Sequence, residues 1–122
     1  MMTVRRIVAN LAAEDPGPTR SFYERLLDLE VVMDHGWIIT LAAGAMAAPQ
    51  LSIASEGGSG TPVPGLSIEV DDVDRVYARA TSAGCDIVYG LTDEPWGVRR
   101  FFVRDPCGTV VNILSHAREG SA

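Results

Sequence analysis

Pro95-Trp96-Gly97, then Arg99 to Val103, Asp105-Pro106-Cys107-Gly108 and Val110 to Leu114 form the stretch that decides the fold. The two outer runs are β-branched and aromatic, which suits strands. Between them, Pro106 presets φ near the value a type I turn requires, and Gly108 supplies the reversal. The stretch therefore reads as a β-hairpin with an aromatic residue at its entrance.

Working backward, Leu66, Ile68 and Val70 alternate with Ser67 and Glu69, the period of a half-buried strand. Asp71 or Asp72 then caps a helix over about Asp72 to Ala83, with Val73, Val76, Tyr77 and Ala80 as its apolar face and Gly84 as a left-handed stop. Ile87 to Tyr89 supplies a strand before the hairpin. The same order occurs earlier. Arg5 to Ala13 is a strand, and Asp15 and Pro16 start a helix running to about Leu27. Phe22/Leu26 and Tyr23/Leu27 give that helix an apolar face that reads as core. Leu29 to Met33, Trp37 to Leu41 and Gln50 to Ala54 follow as strands, with Asp34-His35-Gly36 a turn. Ser55 to Gly65, rich in Gly, Ser, Thr and Pro, reads as a flexible linker. The chain is thus one domain made of two strand-helix-three-strand copies, about 4–55 and about 65–116, with Tyr23 and Tyr77 at matching points. Each sheet carries a helix on one face, and the opposite faces are free to bound a cleft that takes a small molecule.

Composition narrows the function. The chain has 122 residues and a net charge of −6, which disfavours nucleic acid as a partner. No apolar run reaches the roughly 18 residues of a membrane span, and no secretory leader is visible, so a cytoplasmic protein is expected. All ten basic residues are arginine. Without lysine, neither a lysine Schiff base nor a Walker-type phosphate loop is available. Cys85 and Cys107 lack metal or redox spacing, and no Ser-His-acid or Cys-His set can be drawn.

Several of these residues together resemble the vicinal oxygen chelate superfamily of glyoxalase I, bleomycin- and fosfomycin-resistance proteins and extradiol dioxygenases. They are Asp15 with Ser21-Phe22-Tyr23, the helix end Leu26-Leu27-Asp28-Leu29, Ala83-Gly84, and Arg104-Asp105-Pro106-Cys107-Gly108. Pro95-Trp96-Gly97 resembles the glyoxalase and bleomycin-resistance branch. The resemblance implies an α+β fold of two βαβββ modules with curved mixed sheets enclosing a cleft, in a homodimer. Metalloenzymes of that superfamily place a His, Gln or Glu on each of four strands. The corresponding positions here are Val8, Ser52, Gly65 and Asn112. None is an imidazole or carboxylate, so neither metal nor other cofactor is expected.

The cleft is then expected to be lined by Asn10, Trp37, Ser67, Glu69, Trp96, Arg100, Phe102 and Asn112, the residues that strand alternation sets opposite the helices, plus two tryptophans at strand mouths. Two readings stay open for several of them. Glu69 is a base or cation-binding group, or it is solvated or paired with an arginine. Arg100 recognises a ligand carboxylate or phosphate, or it is a surface arginine balancing Asp93, Glu94 or Asp105. The tryptophans stack on a planar ligand, or they fill a core or dimer interface. The expected function is metal-independent binding of a small organic molecule, such as sequestration of an antibiotic. The alternative is a lyase, isomerase or dioxygenase of the same superfamily, with a metal held elsewhere or with Glu69 as base.

Overall fold

The computed structural model describes residues 2–43 and 50–116. Its elements run β1 (Val4–Ala12), α1 (Pro16–Leu27), β2 (Glu30–Asp34), β3 (Ile38–Ala42), β4 (Gln50–Ala54), β5 (Leu66–Val70), α2 (Val73–Ser82), β6 (Asp86–Asp93), β7 (Val98–Arg104) and β8 (Val110–His116). The chain divides into two compact units, Val8–Val63 and Pro64–Ala122 with Met1–Ile7. Within the first, strand order is β2-β3-β4-β1; within the second it is β5-β8-β7-β6. The first strand of each copy pairs parallel with the last, and the other neighbours are antiparallel. Among the described residues this is the expected α+β arrangement of two βαβββ copies. No described helix is long and apolar enough to cross a membrane.

Both helices start as their sequences dictate. Asp15 accepts a hydrogen bond from the Gly17 amide, and Pro16 occupies the first turn, where its missing N–H costs nothing. Asp72 is the cap of α2, accepting from the Arg75 amide. Asp71 instead accepts from the Thr3 amide, which holds its carboxyl below the usual range. Gly84 ends α2 at φ 71°.

Each helix covers one sheet face. In the second unit Val70, Val73, Phe101, Val111 and Ile113 form the core, joined by Leu66, Ile68, Val76, Tyr77 and Ala80. Tyr77 meets Phe101 edge-on at 5.0 Å. In the first unit Ile39, Leu41 and Ile53 are buried, with Tyr23 and Leu11 against them.

Three expectations need correction. Phe22, Leu26 and Leu27 are not core; they stand 52%, 63% and 56% exposed. Successive helix positions diverge by about 100°, so the Phe22 and Tyr23 pairs cannot both face the sheet, and Tyr23 takes that place. Ser55 to Gly65 is not a flexible linker. The Gly57 amide donates to Thr61 O at 2.7 Å, and the Thr61 amide and hydroxyl donate to Gly58 O. A side chain on Gly57 would run into the Pro62 carbonyl, which explains the glycine. Finally, the strand expected at Ile87 to Tyr89 extends to Asp93. Register shifts between Ile87 and Tyr89 and between Tyr89 and Thr92 let it continue past Gly90.

Arg99 ties α2 to β6 across the helix-bearing face. It contacts Asp74 at 2.8 Å and Asp93 at 3.1 Å, and its guanidinium lowers the Asp74 pKa. A depressed carboxyl stabilises the fold above its unfolded pKa of about 4 and stops doing so as pH falls through the folded value. Because the Asp74 side chain is 62% exposed, the effect is small. Asp74→Asn should cost under about 1 kcal/mol at neutral pH and progressively less as the pH falls below about 4, by urea unfolding at each pH. Phe101→Ala, which empties a fully buried site, should cost about 3–5 kcal/mol in the same assay.

Candidate functional site on the helix-free face of the second unit

Alternation sorts β5, β7 and β8 of the second unit. Leu66, Ile68, Phe101, Val103, Val111 and Ile113 pack on the α2 side. The intervening residues line the opposite face in register. Ser67 pairs with Asn112, Asn112 with Phe102, and Phe102 with Tyr89, one row across four strands. The next row runs Glu69, Leu114, Arg100, Thr92. Ser67, Glu69, Arg100, Phe102 and Asn112, expected together from sequence, thus share one face.

Arg100 is the centre of this face and is 3% exposed. Its Nε stands 2.6 Å from Glu94 Oε2, which also accepts from the Tyr89 hydroxyl at 3.0 Å. The guanidinium carbon lies 4.7 Å from the Phe102 ring centroid, 5.0 Å from Trp96 and 5.4 Å from Tyr89. Such an arrangement combines a charge-assisted hydrogen bond with cation–π attraction. The turn that closes β6 onto β7 builds it. The Glu94 amide donates to Val98 O, the Gly97 amide to Glu94 O, and Gly97 adopts φ 92°. That turn sets Trp96 over the guanidinium. Of the two readings of Arg100, pairing with Glu94 is observed, but as a buried pair and not a surface one. Sequence reasoning missed Tyr89 as a member. Glu94 entered only as a counter-charge. The available signal was the spacing of Tyr89, Glu94, Trp96 and Arg100 around a Pro-Trp-Gly turn.

Glu69 is engaged by a histidine and an arginine. Its Oε2 is 3.1 Å from His116 Nδ1, and its Oε1 is 3.2 Å from Arg6 Nε, an ion pair without good hydrogen-bond alignment. It borders a polar depression of about 700 Å³ that includes Arg5, Arg99, Ser115, His116 and the first turn of α2. Glu69 is therefore the arginine-paired group of the second reading.

Asn112 is 7% exposed. Its Nδ2 donates to Ser67 Oγ at 3.1 Å, while its Oδ1 has no hydrogen-bond partner among the described residues. The first unit has a matching row, Asn10 beside Ser52 and Ser52 opposite Thr40. There the Ser52 and Thr40 hydroxyls bond at 2.8 Å. Phe102 holds the register position of Thr40 and has nothing to donate. An orphaned buried acceptor costs about 1–3 kcal/mol. Of the remaining expected site residues, Asn10 is half-buried in that first-unit row. Trp37 lies in the β2–β3 turn rather than at the head of β3; its carbonyl accepts from the Ser55 amide and its ring stacks on His35 at 6.4 Å.

The donor set at the four superfamily metal positions does not fit a divalent transition metal. Val8 is a buried aliphatic, Ser52 bonds Thr40, and Asn112 offers only a neutral amide. At Gly65 even a Cβ would lie 3.0 Å from the Thr109 methyl. No group of three His, Cys, Asp or Glu side chains suited to a metal occurs among the described residues.

The buried ion pair makes a clear expectation. Arg100→Ala should cost about 3–5 kcal/mol, because Glu94 is left charged and enclosed. The double variant Arg100→Ala/Glu94→Ala should cost less than the sum of the single losses, by about 1–3 kcal/mol in a urea double-mutant cycle.

Comparison with known proteins agrees with this architecture. Over 60 residues, 49% of this chain, it is 45% identical to the uncharacterized protein Rv0887c of Mycobacterium tuberculosis; the match spans only 35% of that protein's length. The NAD-dependent benzaldehyde dehydrogenase structure from Legionella pneumophila superposes with a TM-score of 0.76 at 17% identity, covering 91% of this chain and 99% of that one. A methylmalonyl-CoA epimerase from Streptomyces coelicolor superposes at 0.71 with 18% identity, covering 95% and 100%. At such identities the two structures speak for the fold alone. The family model of the Glyoxalase/Bleomycin resistance protein/Dioxygenase superfamily matches residues 5–113, and with two βαβββ copies in the same strand order the chain belongs to that superfamily.

Proposed function

We propose that the protein binds a small organic molecule on the helix-free face of its second unit and needs no metal to do so. The supporting observation is the contrast between the two faces. One is aliphatic and packed under α2; the other carries Ser67, Asn112 and the Arg100–Glu94 pair boxed by Tyr89, Trp96 and Phe102. A few oriented polar groups among aromatics are what small-molecule sites are made of. Sequestration of an antibiotic is the form of this function that requires no chemistry. The net charge of −6 keeps nucleic acid out of the proposal, and a cytoplasmic homodimer is the expected state.

A second reading has its own observation. Glu69 and His116 form a carboxylate–imidazole pair beside the polar depression, a combination suited to proton transfer. It favours a superfamily enzyme, a lyase or isomerase, with Glu69 as base.

A thermal-shift screen of antibiotics, aromatic acids and glutathione conjugates, followed by a turnover assay of any compound that binds, separates the readings. A ligand of the folded state raises the melting temperature. For a compound that binds, Trp96→Ala should weaken affinity by about 1 kcal/mol or more, read by calorimetry. Glu69→Gln should leave binding unchanged, and where Glu69 is the base it should abolish turnover of the bound compound. Chelator treatment should leave both melting temperature and affinity unaltered; loss of both, with about one divalent ion per chain by elemental analysis, would remove the metal-free reading. Light scattering at micromolar concentration should give twice the chain mass. Exposed Phe22, Leu26, Leu27 and Val32 on the first unit are apolar surface that assembly would cover.

A further inference from the structure

The turn between β6 and β7 sends two side chains inward. Pro95 and Gly97 are exposed, whereas Glu94 is buried and Trp96 is half-buried. Both inward groups meet the Arg100 guanidinium. Glu94 Oε2 lies 2.6 Å from its Nε, and the Trp96 ring centroid lies 5.0 Å from its central carbon. Tyr89 and Phe102 complete the enclosure at 5.4 and 4.7 Å. The backbone is held by other means. Arg100 keeps its place in β7 by pairing with Thr92 and Leu114, and the turn closes through the Glu94 amide on Val98 O and the Gly97 amide on Glu94 O. The guanidinium therefore fixes side chains on a frame built from main-chain bonds. The first unit builds its matching β2–β3 turn differently, with Trp37 stacked on the exposed His35 at 6.4 Å.

We propose that Arg100 is a positioning residue, a buried latch that pins the Trp96 ring and keeps the turn's aromatic side chain closed on the helix-free face. Neutralising the cation releases the ring while the sheet stays folded. Cation–π attraction is strongest where the cation is desolvated, and this one is enclosed. Glu94 supplies the counter-charge without which the guanidinium would not remain under the ring. The functional consequence rests on the reading of Trp96 as a ligand-stacking ring: Arg100 and Glu94 then govern binding through Trp96 and do not themselves touch the ligand. The latch is measured without any ligand, so its failure is distinguishable from failure of that reading.

The chain has two tryptophans, so Trp37→Phe leaves Trp96 as the sole one and serves as the background. Acrylamide quenching of its fluorescence reports how firmly the ring is held, and urea unfolding reports the fold. Adding Arg100→Met/Glu94→Gln, which removes both charges together, should raise the quenching constant at least about twofold while unfolding stays cooperative. Arg100→Lys keeps the cation and should stay nearer to the background than to the neutral pair. Phe101→Ala, which weakens the core under α2, should lower the urea midpoint and leave the quenching constant unchanged. An unchanged constant in the neutral pair overturns the latch. So does a rise in Arg100→Lys as large as in the neutral pair, which would assign the effect to shape instead of charge, or an equal rise in Phe101→Ala, which would assign it to general loosening. If the neutral pair does not fold, nuclear magnetic resonance of the background protein decides. An Arg100 Nε–H protected from exchange and in Overhauser contact with the Trp96 indole supports the latch, and the absence of that contact overturns it.

Discussion

Strand β8 is the constraint on which the second unit depends. It pairs parallel with β5 and antiparallel with β7, so its residue-by-residue alternation is imposed on both neighbours. Val111 and Ile113 commit Leu66, Ile68, Phe101 and Val103 to the helix side. Asn112 and Leu114 commit Ser67, Glu69, Phe102 and Arg100 to the other. A slip of one residue would put the Arg100 guanidinium under α2 and Phe101 on the opposite face, among the polar groups. The aliphatic core and the polar face are two outcomes of one register.

That dependence explains what was legible in the sequence. Ser67, Glu69, Arg100, Phe102 and Asn112 were placed on one face from alternation alone, because period two is a local property and β5, β7 and β8 obey it without a bulge. Strand β6 does not obey it. Its two register shifts carry the strand through Gly90, and with it went the chance of seeing that Tyr89 and Glu94 join Arg100. Burial was the other blind spot. Arg100 read as a ligand-recognising group or a surface arginine with Glu94 as one counter-charge, and Trp96 as a stacking ring or an interface one. Only the closing of the Glu94–Gly97 turn reveals a cation enclosed by three rings. On α1, hydrophobicity was read as core when one tyrosine sufficed to anchor the helix. Composition likewise made Ser55 to Gly65 look flexible, although its glycines permit a specific hydrogen-bonded turn.

The repeat is equally instructive where it breaks. Both copies share strand order, a helix tyrosine that faces the sheet and a polar cross-strand row. The first row is closed by two hydroxyls and the second is interrupted by an aromatic ring. Duplicated units are free to diverge in this way. The first keeps a row of paired hydroxyls, while in the second Asn112 Oδ1 is left without a partner among the described residues. The second unit also carries the longer hairpin, the Pro-Trp-Gly turn and the buried ion pair, so its helix-free face is the more elaborated of the two.

The register shifts have a further effect, on how copies of the chain can meet. Strands β2 and β6 each stand at one end of the strand order of their own unit, and both are bulged, β2 between Val31 and Met33 and β6 at two places. An irregular edge presents its amides and carbonyls out of step, which makes it a poor template for a strand from another molecule. Sheet-to-sheet extension, the usual route from an exposed edge to fibres, is therefore disfavoured at these two strands by the backbone itself.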